Sequence, residues 1–161
     1  DLDLPKNGVL WDLGAGTGSV GLEALRLRPE LQLFAVERRS GVVPLIQANA
    51  ERLGVKPVAV LQGDARTLLA ELPDPDRVLL GGGGAARAEL LAVLLSRLRS
   101  GGVVVIPLAT LEAVAELRPV LEAHGLQVSL MQLQVSRGMP LAGGTRLAPL
   151  NPVVVLRGCR A

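Results

Sequence analysis

Short apolar runs alternate along this chain with stretches whose apolar positions recur every three or four residues. Val9 to Leu13 reads as a first strand, and Gly18 to Arg28 as a helix stopped by Pro29. Leu31 to Val36 is a second strand. Val43, Ile46, Ala50 and Leu53 then share one helical face, which Gly54 closes. Val58 to Leu61 makes a third strand, followed by a short helix around Thr67 to Glu71. Arg77 to Leu80 is a fourth strand, Leu91, Leu94, Leu95 and Leu98 form a helical stripe, and Val103 to Ile106 is a fifth strand. The next helix starts near Thr110, whose hydroxyl suits an N-cap, and Pro119 is expected to kink or split it. These strands do not alternate cleanly between apolar and polar, as expected when both faces are buried in a parallel sheet. The order predicts a doubly wound α/β sheet.

After the last helix the pattern changes. Val128 to Val135 and Val153 to Leu156 read as strands with no helix between them, joined by a Gly- and Pro-rich loop from Ser136 to Pro152. An antiparallel pair closing the sheet is the expectation. No internal repeat or linker is visible, so one domain is expected.

Composition narrows the chemistry. The chain has 161 residues, 49% of them apolar, with one Trp, one Phe and no Tyr. Its core must be aliphatic, and it has almost no stacking platforms for nucleic acid. A formal net charge of +2 provides no basic stripe either. One cysteine, Cys159, excludes an internal disulfide and fits a reducing, cytoplasmic setting. With a single histidine, His124, the chain offers no zinc site of the usual Cys/His type, and no metal is expected. No apolar run reaches the roughly 20 residues of a membrane span. The start, Asp1-Leu2-Asp3, has no basic signal-peptide character and no initiating Met, so an upstream segment is expected.

The candidate chemistry begins where the first strand ends. Trp11-Asp12-Leu13-Gly14-Ala15-Gly16-Thr17-Gly18-Ser19 is a strand-to-helix turn that lets a ligand touch backbone. The dinucleotide pattern G-x-G-x-x-G fails from Gly14, where the last position is Ser19. From Gly16 it is formally met by Gly18 and Gly21, but two residues after the turn has begun. The pattern acidic-x-G-x-G-x-G fits from Asp12 to Gly18 and resembles the methyltransferase version of the fold. Glu37, at the end of the second strand, can accept both hydroxyls of a ribose; NAD enzymes use the same device, and Glu37 could equally be a solvated strand end beside Arg38 and Arg39. Gly63-Asp64-Ala65 follows the third strand. In the methyltransferases that it resembles, the acid meets the adenine amino group and the next backbone amide a ring nitrogen; Asp64 could also simply cap a helix. All these positions fall at carboxyl ends of strands, where such sheets bind ligands. An NAD-dependent oxidoreductase, a methyltransferase of another small molecule and a non-catalytic module remain the alternatives.

The glycine run Gly81-Gly82-Gly83-Gly84 stands where base N-methylating enzymes carry Asn/Asp-Pro-Pro-aromatic, and Asn151-Pro152 comes much later. Nucleic-acid methylation is disfavoured accordingly. The first turn, the Gly63-Asp64-Ala65 turn, this glycine run and Ala109-Thr110-Leu111-Glu112 together resemble the precorrin methyltransferases of cobalamin biosynthesis. Val135-Ser136-Arg137-Gly138, Gly143-Gly144-Thr145-Arg146-Leu147 and Asn151-Pro152-Val153 extend the resemblance. They match the C-terminal, C-15-methylating part of the decarboxylating precorrin-6Y methyltransferase family, from about Val9 to Leu156.

That resemblance implies a class I Rossmann-like sheet and S-adenosylmethionine as cofactor. Gly14, Ala15, Gly16, Thr17, Gly18, Glu37, Asp64, Ala65, Gly81 and Gly82 would bind it. The substrate would be a reduced tetrapyrrole, methylated at a ring-bridging carbon and decarboxylated at an acetate arm, with the conjugated macrocycle as its own electron sink. Arginine forks are the expected holders of its carboxylates, which singles out Arg137 and Arg146. Thr110, Glu112 and Thr145 are candidates for hydrogen bonds to the ring edge or acetate, although Thr110 also suits the helix cap. The resemblance further implies a homo-oligomer, as in tetrameric stand-alone relatives. It also implies a helix before the first strand. Only eight residues precede Val9, so residues 1–161 are expected to form a single methyltransferase domain lacking that helix or an upstream fused domain.

Overall fold

A computed structural model describes every residue except Gly83. Five strands come first: β1 (Asn7–Leu13), β2 (Glu30–Glu37), β3 (Ala59–Gln62), β4 (Arg77–Leu80) and β5 (Val103–Leu108). Between and after them lie α1 (Ser19–Leu27), α2 (Val42–Leu53), the short α3 (Ala65–Leu68), α4 (Arg87–Arg97) and α5 (Leu111–Ala123). β6 (Gln127–Leu133), β7 (Ser136–Leu141), β8 (Gly144–Pro149) and β9 (Val153–Cys159) complete the chain. The main sheet has the order β3-β2-β1-β4-β5-β9-β6. β1 to β5 run parallel, and β9 is antiparallel to both neighbours. The doubly wound sheet with an antiparallel closing pair is as the sequence implied.

Alternate residues of β1 serve opposite layers. Trp11 and Leu13 join Leu91, Leu94 and Leu95 of α4 and Leu117 and Leu121 of α5. Leu10 instead joins Leu22 of α1, Leu33 of β2 and Ile46 of α2. Both faces of the central strands are therefore dry, which explains their unbroken apolar runs. Trp11 is fully buried, and its indole N–H donates to the Pro73 carbonyl at 3.1 Å. Arg97 lies 5.3 Å over that ring and donates to the Leu69 and Leu72 carbonyls, fastening the loop after α3 to α4.

Two local expectations are corrected. Pro119 does not split its helix: α5 runs unbroken from Leu111 to Ala123. Pro119 and Ala115, whose carbonyl loses its partner, both face outward, so water can satisfy it. The Gly- and Pro-rich stretch from Ser136 to Pro152 is not a loop. It folds as a separate hairpin in which, among the described residues, β7 pairs only with β8, turning at Ala142 and Gly143. The preceding strand also ends earlier, at Leu133 rather than Val135.

Candidate active site

The sheet order reverses between β1 and β4, and a cleft of about 540 Å³ opens there at the carboxyl ends of the strands. Leu13 and Gly14 form its floor from β1, with Glu37, Arg38 and Arg39 from the end of β2. Gly63 to Arg66 follow from β3, and Gly81 and Gly82 from β4. Ala86 and Leu90 close the α4 side.

Backbone closeness explains the first glycine. Gly14 has φ +77°, and a Cβ there would stand 2.8 Å from the Gly82 nitrogen. The turns after β1 and β4 therefore touch backbone to backbone, which only glycine permits. Gly14 and Ala15 both donate to the Val36 carbonyl, at 2.8 and 3.1 Å. Ala15, Gly16, Thr17 and Gly18 continue this turn into α1, of which Gly18 is the N-cap, and none of the four lines the cleft.

Asp12 works from beneath the turn. It is buried, and its Oδ2 accepts the Gly21 N–H at 3.1 Å, tying the first turn of α1 to the end of β1. Its Oδ1 is buried with no protein partner. Burial raises its pKa to about 6; the Gly21 hydrogen bond opposes the rise and the nearby Glu37 charge adds to it.

Glu37 is also buried, yet it titrates oppositely. Burial resists its charge, but Arg39, through side chain and backbone, and the Gly16 N–H bring its pKa down to about 2. Gly16 donates to Oε2 at 2.9 Å, so Glu37 organises the glycine turn as well as facing the cleft. Asp64 caps α3 by accepting the Arg66 N–H at 2.9 Å, and the Arg66 side chain grips the same carboxylate. The Arg66 side chain first, then its backbone, holds Asp64 down at about 2. The cap and the cleft-facing acid are thus one residue.

The remaining candidates lie elsewhere. Thr110 follows β5 as the N-cap of α5, its Oγ1 accepting the Ala113 N–H at 3.3 Å, and Glu112 is exposed in that helix's first turn. Neither lines the cleft. Arg137, Thr145 and Arg146 sit on the exposed hairpin, also outside it. There Arg137 pairs with Ala148, and Arg146 with Met139 two positions on, so both arginines share one hairpin face. Thr145 pairs with Pro140 and falls on the opposite face. Of the glycine run, Gly81 and Gly82 reach the cleft as expected, while Gly83 lies outside the described residues. Sequence reasoning missed the grip of Arg39 and Arg66 on the two acids. The signal was an acid-x-Arg spacing repeated after β2 and β3.

This strand order, with a glycine turn and two strand-end acids around a switch-point cleft, defines a methyltransferase of the Rossmann-like kind. An O-methyltransferase structure from Thermotoga maritima shares that fold at 17% identity, with a TM-score of 0.74 over 99% of this chain and 62% of that one. The chain matches the precorrin methyltransferase domain family over residues 1–160, and it belongs to that family. It is 36% identical over 157 residues to a probable cobalt-precorrin-6B C(15)-methyltransferase (decarboxylating) of Pyrobaculum aerophilum, covering 96% of this chain and 80% of the relative. A decarboxylating precorrin-6Y C(5,15)-methyltransferase of a Sinorhizobium species is 35% identical over 151 residues, covering 92% of this chain and 36% of that longer protein. The crystal structure of precorrin-6Y C5,15-methyltransferase from Geobacter metallireducens superposes with a TM-score of 0.91 at 32% identity, covering 99% of this chain and 83% of that one.

Proposed function

We infer that this chain is an S-adenosylmethionine-dependent C-methyltransferase of cobalamin biosynthesis. It methylates C-15 of a precorrin and removes carbon dioxide from an acetate side chain. One observation carries the reading: the relative from Pyrobaculum aerophilum, named for this reaction, matches 96% of the chain, so both cleft and hairpin belong to the match.

We assign the methionine end of the cofactor to the turn from Gly14 to Gly18 with Gly81 and Gly82, of which Gly14, Gly81 and Gly82 line the cleft. The reading assigns Glu37 to the ribose hydroxyls, Asp64 to the adenine amino group, and the Ala65 backbone amide to the ring. When bound, S-adenosylmethionine supplies an electrophilic methyl group. The protein's part is chiefly alignment, and such positioning contributes roughly 7–11 kcal/mol to lowering a barrier. Thr110 uses its oxygen as a cap acceptor and keeps its O–H to donate. With Glu112, in the first turn of α5, it follows β5, the strand beside β4, and we assign both to the ring edge or acetate of the substrate. Arg137 and Arg146, on one face of the hairpin, fork the substrate carboxylates, and Thr145 serves from the other face.

The hairpin is the surface we assign to self-association into a homo-oligomer such as a tetramer. Among the described residues its two strands pair with no third, and Met139, Leu141 and Leu147 are exposed on it. An isolated two-stranded hairpin is marginal in water, so a second copy is its natural cover. The enzyme works in the cytoplasm, on a soluble tetrapyrrole; no described helix is long and apolar enough to cross a membrane.

Turnover of a precorrin by Arg137→Ala and Arg146→Ala variants tests this reading. Both should lose turnover while binding S-adenosylhomocysteine as the parent does. Unchanged turnover in both removes the substrate assignment, and failure of the parent chain to bind S-adenosylhomocysteine, or its binding NAD instead, overturns the methyltransferase reading.

A further inference from the structure

A carboxylate offers about four lone-pair positions to donors. In Glu37 all are taken. Oε1 accepts the Arg39 backbone N–H at 3.0 Å and its Nε–H at 3.3 Å. Oε2 accepts the Gly16 N–H at 2.9 Å and the Arg39 terminal N–H at 3.3 Å. A ribose that donates one hydroxyl to each oxygen finds no vacancy. Two of the four donors are backbone and fixed by the chain. The other two belong to one guanidinium, and theirs are the two longest of the four contacts.

That guanidinium also lies over the turn the cofactor must touch. A Cβ on Gly16 would stand 3.7 Å from its terminal nitrogen. The Arg39 side chain is 66% exposed against 7% for Glu37, so the arginine is free to swing out while the acid stays. Asp64 differs: Arg66 supplies three contacts, two to Oδ1 and one to Oδ2, leaving one position open for an amino group.

Resting on the reading that this cleft takes S-adenosylmethionine, we propose that Arg39 is a displaceable latch on Glu37. It occupies the ribose-diol site in the free protein and leaves when the cofactor's hydroxyls replace its two side-chain donors. The latch keeps a buried acid satisfied while the cleft is empty, and only a ligand with paired hydroxyls restores both contacts. Arg39 therefore tunes affinity and selectivity for the ribose without touching the reacting atoms. Arg66 has no such role, because Asp64 can receive adenine with its arginine in place.

Calorimetry with S-adenosylhomocysteine on the full chain, Arg39→Ala and Arg66→Ala tests the latch. An exposed ion pair is weak, so Arg39→Ala should bind roughly two- to fivefold more tightly than the parent. Raising salt should tighten binding to the parent and narrow this gap, because screening weakens the latch and the ligand carries no net charge. Arg66→Ala should show no such gain. Equal or weaker binding by Arg39→Ala, or an equal gain in Arg66→Ala, overturns the latch while leaving the cofactor reading in place. No binding by any of the three removes the cofactor reading and the latch with it.

Discussion

Replacing Asp12 by Asn probes the one buried acid whose charge the fold disfavours. Its pKa rises from 3.8 to about 6 on folding, mainly through burial. A raised folded pKa means that the folded state holds the proton more tightly. Its contribution to stability is therefore full below pH 3.8 and lost as pH climbs through 6. About two units at 1.36 kcal/mol each give a loss of about 3 kcal/mol at neutral pH. Asn keeps an acceptor for the Gly21 N–H but never ionises. Asp12→Asn should thus match the parent at pH 4 and exceed it by up to about 3 kcal/mol at pH 7.5. Glu37 does not blur the window: its pKa is lowered from 4.5 to about 2, so its contribution is lost only as pH falls below 4.5. Urea unfolding followed by fluorescence of the single, fully buried Trp11 reads both pH values. A variant no more stable than the parent at pH 7.5, or equally stabilised at both pH values, would refute the reasoning.

Other perturbations follow from named contacts. Gly21→Ala puts a Cβ 2.7 Å from Asp12 Oδ2 and 2.9 Å from a Leu33 methyl, and should lower stability by about 1–3 kcal/mol in thermal melts. Gly14→Ala, at φ +77° and against Gly82 backbone, should cost S-adenosylhomocysteine affinity roughly five- to a hundredfold by calorimetry, from roughly 1–3 kcal/mol of local backbone strain. Arg97→Met removes the side-chain donor from the Leu72 carbonyl and one of two donors from the Leu69 carbonyl, and should destabilise by about 1–3 kcal/mol in urea. On the proposed self-association through the hairpin, Leu141→Lys should shift sedimentation toward monomer without lowering the melting temperature of the monomer.

The parallel half of the sheet was legible because its central strands are buried on both faces and its helices on one. Val9 to Leu13 and Val103 to Ile106 could hardly be anything else once helical stripes were seen between them. The hairpin was not legible. Gly138, Pro140, Gly143, Gly144 and Pro149 carry the composition of a loop, and its strands face water on both sides, so no alternation marks them. Pro119 misled for a related reason: its rule concerns a lost hydrogen bond, and exposure at Ala115 lets solvent replace it. At the site, the positions of Gly14, Glu37 and Asp64 could be read from the strand ends. Their satisfaction could not. That Glu37 is saturated and Asp64 is not depends on side-chain geometry two residues on, which spacing hints at but does not determine. Arg137 and Arg146 share a face only because they are nine and not eight positions apart across a tight turn, a register fixed by the Ala142–Gly143 turn.

The most direct test of the central claim is the mass of the product. The purified chain is incubated with S-adenosylmethionine and a precorrin-6 substrate, with and without cobalt, and the tetrapyrrole is analysed by mass spectrometry. Gain of one methyl group together with loss of one carbon dioxide is the predicted result. An unmodified tetrapyrrole from a chain that binds the cofactor, or a methyl gain with every carboxylate retained, would contradict it.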